Sequence, residues 1–244
     1  IFVSDRFQTM LASLGKACTY ARASSSRLPA AHRTSCRFFS GEELAKSDLS
    51  RLGPEQLLQA LRYVETQGTA DPVVWQGYRN RVNEILPSCD MQQCAGFFIS
   101  FSFEPSISNK EVQTKFLAAL LARVKDLLSM RQSDDPVPLG VIKRLASACN
   151  RVQIFDSQLF TDLAPMIKPQ AARATVRDLA TITSHFAGFR VTDKNFYTFV
   201  AHAVPDYLSD LRPEDTLGLL KAYGSLKFHE MDMLESLANE LRDR

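Results

Sequence analysis

A step of 37 residues runs through the chain. It separates Asp156, Asp193 and Glu230, and it also separates Asp71 from Ser108. The gap from Ser108 to Asp156 is 48, one step plus an 11-residue insertion. Counted from these anchors, position +4 is Trp75, Val112, Phe160, Tyr197 and Leu234, apolar every time. Position −7 is Val64, Phe101, Cys149, Phe186 and Tyr223, and position −11 is Ala60, Phe97, Leu145, Ile182 and Leu219. Self-similarity at a period of roughly 20–50 residues marks a solenoid, propeller or array, because one such unit cannot bury its apolar face alone.

The anchors explain themselves as helix caps. Asp and Ser side chains accept a hydrogen bond from the open amides of a helix's first turn, so each anchor is read as the N-cap of a second helix. Glu230 is a poorer cap whose charge still suits the positive end of the helix dipole. Upstream, apolar residues at −14, −11, −7 and −4 follow helical spacing, as in Leu179, Ile182, Phe186 and Phe189; downstream come Phe196, Tyr197, Val200 and Val204. Each unit is a helical hairpin, with units at about 54–87, 90–129, 138–168, 173–210 and 213–242. Gly53-Pro54, Pro87, Pro136 with Pro138, Pro169 and Pro213 fall between units, and Gly68 and Pro105 mark turns within them. Phe97–Phe103 alternates like a strand but keeps the phase of the other first helices, so helix is expected. Pro165 and Pro205 interrupt second helices. The insertion lengthens one second helix (Asn109–Ser129) and adds a polar loop, Arg131–Pro136, read as mobile. The fold expected for 41–244 is all-α, a right-handed α-solenoid of about five helical hairpins preceded by a disordered leader.

Residues 1–40 have a different chemistry. From Met10 to Ser40 there are five basic residues (Lys16, Arg22, Arg27, Arg33, Arg37), no acidic one, many serines and alanines, and Leu11, Leu14, Cys18 and Ala21 sharing a helical face. That is the profile of a mitochondrial transit peptide, with cleavage expected between Phe39 and Ser40. The segment holds six of the 29 basic residues and one of the 27 acidic ones, which leaves 23 against 26, net −3, in the remainder. Phosphate binders ordinarily carry a basic surface. Here basic character is local: Lys143 and Arg144 with Arg151, Arg173 with Arg177, and Arg190, Lys221 and Lys227. These eight are the candidate RNA-contacting residues, although charges on a helical array are usually its solvated face.

Motifs for other chemistry do not emerge. Cys89 and Cys94 have no partner pair for zinc, and Cys149 sits in a −7 core position. His185, His202 and His229 lie beside apolar stripes without a nucleophile–carboxylate set, and His229-Glu230 lacks a second zinc histidine. There is no Gly-rich phosphate loop or GxSxG turn, and no apolar run near membrane-spanning length. No cofactor, metal, membrane span or small-molecule substrate is expected, nor is catalysis.

Phrases such as Asp215–Phe228 and Ile154–Ala164, set in a 37-residue two-helix unit, resemble the heptatricopeptide-type repeats of organellar RNA-metabolism proteins. Similar hairpins occur in the helical-repeat subunits of mitochondrial RNA-editing substrate-binding complexes and in proteins that end in a RAP domain, which these residues do not show. The resemblance covers about 54–242. It implies a non-catalytic mitochondrial adaptor, in the matrix, that binds RNA or assembles a ribonucleoprotein. The alternative is an accessory structural subunit of a mitochondrial ribosome, ATP synthase or respiratory complex. Position −9 (Arg62, Ile99, Ser147, Ser184, Lys221) shows no base-reading pattern. Aromatics such as Tyr223 and Phe189 are read first as core and second as platforms for bases.

Overall fold

The computed structural model describes residues 40–104, 110–131, 136–228 and 230–243, and among them every regular element is a helix. The chain is all-α there, including Met91–Phe101, the segment with strand-like alternation. The leader with its cleavage point, the Ser108 anchor, Pro105, Asn109, the loop at 132–135 and His229 lie outside the described residues.

A single capped turn, α1 (Gly41–Ala45), comes first. The helices then run in pairs: α2 (Pro54–Thr66) with α3 (Pro72–Ile85), α4 (Met91–Phe101) with α5 (Lys110–Ser129), and α6 (Leu139–Val152) with α7 (Ser157–Leu163). Two further pairs are α8 (Val176–Gly188) with α9 (Lys194–Ala203) and α10 (Pro213–Leu226) with α11 (Met231–Asp243). Capping sets their starts. Asp71, Asp156 and Asp193 accept the amides of Val73, Leu159 and Phe196 at 2.8, 3.0 and 2.8 Å, so α3, α7 and α9 begin at the next residue. Glu230 behaves differently, accepting the Thr198 hydroxyl at 3.2 Å. Pro165 and Pro205 end α7 and α9 early, each in a 3₁₀ segment, Ala164–Met166 and Pro205–Asp210.

The first helices end in a turn that sequence does not announce. Gly68, Gln153, Arg190 and Lys227 have φ of 63°, 58°, 58° and 57°, and all four sit at position −3. In each case the amide of the following residue closes on the carbonyl at −7: Thr69 to Val64, Ile154 to Cys149, Val191 to Phe186 and Phe228 to Tyr223. This is the Schellman closure, which satisfies the last carbonyls of a helix. Three of the four sites carry a side chain where glycine fits best.

The first helices pack in chain order, α1 on α2, α2 on α4, α4 on α6, α6 on α8 and α8 on α10. Their −11 and −7 residues form the shared seam; nine of the ten are at most 1% exposed and Val64 is 6%. Rings continue it from hairpin to hairpin: Phe160 to Phe186 at 5.4 Å, Phe186 to Phe196 at 5.2 Å, and Tyr197 to Tyr223 at 5.5 Å. Ion pairs cross the same junctions, with Lys125 on α5 reaching Asp156 Oδ2 at 2.8 Å and Lys143 on α6 reaching Asp178 Oδ1 at 2.5 Å. Burial would raise both carboxyls, but the lysines and local hydrogen bonds hold them below the usual carboxylate range.

One polar pair lies inside the apolar packing. Arg79 on α3 donates to both oxygens of Glu104 at 2.6 and 2.8 Å, with the Glu104 side chain 1% exposed. Glu104 occupies position −4, where later hairpins place Val152, Phe189 and Leu226. Burial pushes the Glu104 carboxyl up, and Arg79 offsets this only in part.

Two stability tests follow from these contacts. Arg79→Ala or Glu104→Ala alone lowers the unfolding free energy by about 3–5 kcal/mol, because the surviving charge is left buried, whereas Arg79→Met with Glu104→Leu stays within about 1 kcal/mol of the parent in urea melts. Gln153→Gly or Arg190→Gly raises stability by about 0.5–1 kcal/mol in the same assay, relief of left-handed strain outweighing the added freedom of the unfolded chain.

Candidate functional site

Helical geometry decides which side chains are left for a partner. With −11 and −7 buried, positions −12, −9 and −5 point the other way around each first helix. On α2, α4 and α6 these positions include Arg62 and Thr66, Gly96, Ile99 and Phe103, and Arg144, Ser147 and Arg151. They enclose a cavity of about 310 Å³, together with Glu65 and Ser100. A smaller cavity of about 150 Å³ shares Arg62, Gly96, Ile99 and Arg144 with it and extends toward Glu55, Asp90 and Gln93. The floor is α4, whose residues there are short or flat. Gly96 permits this: a Cβ on it would meet Leu58 Cδ2 at 2.7 Å, so glycine lets α2 and α4 approach closely. The walls are the arginines of α2 and α6.

Three guanidinium groups thus surround one cleft. Among the described residues, none of Arg62, Arg144 and Arg151 forms an ion pair. Arg144 Nε donates to the Gly140 carbonyl at 3.2 Å. Arg151 is held more firmly: its Nη1 donates to Ser102 Oγ at 2.5 Å, and its guanidinium carbon lies 3.5 Å from the centroid of the Phe103 ring. Phe103 is 43% exposed and forms a ledge at the lip. Glu65 is the one carboxylate lining the larger cavity. Burial pushes it up, opposed by the Ser100 hydroxyl and by the charges of Arg151, Arg62 and Arg144.

The expected RNA-contacting residues divide into groups. Arg144 and Arg151 line the cleft. Lys143, their neighbour in sequence, turns to Asp178 and spans the α6–α8 junction. Arg173 is exposed at the end of the 3₁₀ segment Lys168–Arg173, and Arg177 donates through Nε to the Asp210 carbonyl at 2.6 Å. Arg190 and Lys227 are exposed in the left-handed turns, and Lys221 is exposed at the −9 position of α10. Arg62 stands alone among basic residues in the sequence, and the register −12, −9, −5 is the signal that joins it to Arg144 and Arg151; Glu65, at −6, lies off that register.

Stacking of bases on Tyr223 or Phe189 is corrected by the structure. Tyr223 is fully buried, its hydroxyl donating to the Tyr197 carbonyl at 2.6 Å, and Phe189 is 3% exposed, stacked on Phe160 at 4.6 Å. Both complete the core.

Ser147 and His185 make the nearest approach to a catalytic pair, with Oγ and Nε2 3.2 Å apart. The Ser147 hydroxyl also faces the Lys143 carbonyl at 3.0 Å, burial alone lowers the His185 pKa, and no carboxylate orients the ring among the described residues. Among those residues no group of His, Cys, Asp and Glu could hold a metal ion, and no helix is long and apolar enough to cross a membrane. Compared with known proteins, the chain matches no protein-family model and no curated protein.

The three thiols among the described residues belong to the core. Cys89 and Cys94 flank the Asp90 cap at the two positions of a hydrophobic staple, and Cys149 lies in the seam. Burial pushes Cys94 and Cys149 up to about 12 and Cys89 up as well. Iodoacetamide at pH 8 should therefore label Cys94 and Cys149 about three orders of magnitude more slowly than a free thiol, on ionisation alone. Site-resolved mass spectrometry checks this, with full labelling expected once urea unfolds the chain.

Proposed function

We propose that this chain is a non-catalytic mitochondrial helical-repeat adaptor whose hairpins form a right-handed α-solenoid, and that it binds RNA directly in the cleft over α4. The observation that carries the reading is the convergence of Arg62, Arg144 and Arg151 on one concavity without carboxylates to neutralise them pairwise. Guanidinium groups held this way favour phosphate oxygens, and the Phe103–Arg151 ledge offers a face to an unstacked base. A cavity of about 310 Å³ suits a single strand splayed nucleotide by nucleotide. The acid-free basic leader supports the mitochondrial assignment, and the 37-residue period supports the adaptor class.

A second reading has its own support. The mature body is net −3, and Lys125, Lys143 and Arg79 are consumed in internal pairs, which suits an accessory subunit of a large mitochondrial assembly held by protein contacts.

Fluorescence anisotropy with single-stranded RNA separates the two. Under the RNA reading, affinity falls steeply with salt, and Arg62→Glu with Arg144→Glu weakens binding at least about tenfold and flattens the log–log salt slope by about 1.4, as for two lost phosphate contacts on a single strand. Absence of RNA affinity in the folded protein, together with nuclease-resistant co-migration with a large complex, would overturn it in favour of the accessory subunit.

A further inference from the structure

The carboxylate of Glu65 is the feature of the cleft that phosphate binding does not explain. A site built only for phosphate gains nothing from an anion beside its guanidinium groups, since the two charges repel. An ionised carboxylate accepts hydrogen bonds and donates none, so it calls for a ligand with N–H or O–H groups on the part that meets it. Its neighbours fit that demand. Ser100 and Thr66 line the same cavity, and the exposed Phe103 ring, backed by Arg151, supplies a stacking surface at its lip. Arg62 and Arg144 border both cavities, so a strand's phosphates have guanidinium partners along the path between them.

Resting on the RNA reading above, we infer that the cleft takes one nucleotide with its base turned inward, and that Glu65 selects guanine. Only guanine presents two adjacent donors on its Watson–Crick edge, N1–H and the 2-amino group, matched to the two oxygens of a carboxylate. Cytosine and adenine each set one amino donor beside a ring acceptor, and uracil places its single N–H between two carbonyls. A lone acceptor pair therefore gains two hydrogen bonds from guanine and meets repulsive lone pairs from the other three. Burial raises the Glu65 carboxyl, and the Ser100 hydroxyl and the surrounding arginines, which favour its charged form, offset that rise in part.

Calorimetric titration of the folded protein at low salt with GMP, AMP, CMP, UMP and IMP tests the inference. GMP should bind about tenfold more tightly than AMP, CMP or UMP, the discrimination expected of one bidentate contact. IMP, which lacks the 2-amino group, should lose most of that advantage without any change to the protein. Glu65→Gln should bring GMP to the level of the other nucleotides, and Arg144→Ala should weaken all five by a common factor. Thermal melts establish that each variant is folded, and the IMP comparison stands even where a variant is not. Equal affinity for all nucleotides, or a GMP preference that survives in Glu65→Gln, would overturn the assignment of Glu65. If mononucleotides fail at millimolar concentration while single-stranded RNA still binds with salt-dependent affinity, the base-inward pose falls and the RNA reading stands. If RNA fails as well, both fall.

Discussion

The structure depends on the burial of two positions per hairpin. Ala60, Phe97, Leu145, Ile182 and Leu219 on one row, and Val64, Phe101, Cys149, Phe186 and Tyr223 on the next, lie along the line where successive first helices meet. Each fully buried large side chain contributes about 1.5–3 kcal/mol by leaving water, so the row outweighs any single polar contact in the molecule. It also imposes order, because a hairpin removed from the row exposes its neighbour's seam as well as its own. The 37-residue step follows from this constraint. A first helix long enough to present both rows must stop, turn and restart so that the next first helix arrives in register.

The turn between the two helices of a hairpin is where backbone chemistry enforces that register, and it marks the boundary of what sequence reveals. Asp71, Asp156 and Asp193 were legible because an acidic residue before an apolar helical pattern has one economical use, and the structure shows it. The left-handed residue three places earlier was legible only at Gly68. Gln153, Arg190 and Lys227 adopt the same φ without glycine, because the closure from −2 to −7 and the packing of Ile154, Val191 and Phe228 fix the chain there. Tertiary context outweighs local preference at these points. Arg79 and Glu104 were hidden for a related reason: an isolated arginine and glutamate 25 residues apart look like surface residues until the packing of α3 beside the end of α4 brings them together.

Charge shows a similar split between chain-wide and local description. A net charge of −3 over the body argues against phosphate binding only if charge is spread evenly. At physiological salt, exposed charges farther apart than about 8 Å are largely screened from each other, so distant carboxylates weigh little on the cleft. Lys125 and Lys143, which inflate the basic count, are paired to Asp156 and Asp178 across hairpin junctions. What remains at the larger cavity is three arginines against Glu65, a positive balance set by position, while Glu55 and Asp90 line the smaller one beside it.

The location of the cleft within the array has a steric origin. On α8 and α10 the residues at −12, −9 and −5 are Thr181, Ser184 and Gly188, then Gly218, Lys221 and Ser225. A Cβ on Gly218 would meet Ser184 Oγ at 2.6 Å, so these two helices close on each other, and Lys221 is the one long side chain in their register. At α4 the close approach to α2 is similar, but the flanking helices carry Arg62 on one side and Arg144 and Arg151 on the other, overhanging Gly96, Ile99 and Ser100. A concavity needs long side chains on both sides of a low floor, and α2, α4 and α6 supply that combination. Repetition builds the scaffold, and departure from repetition at positions −12, −9 and −5 creates the cleft.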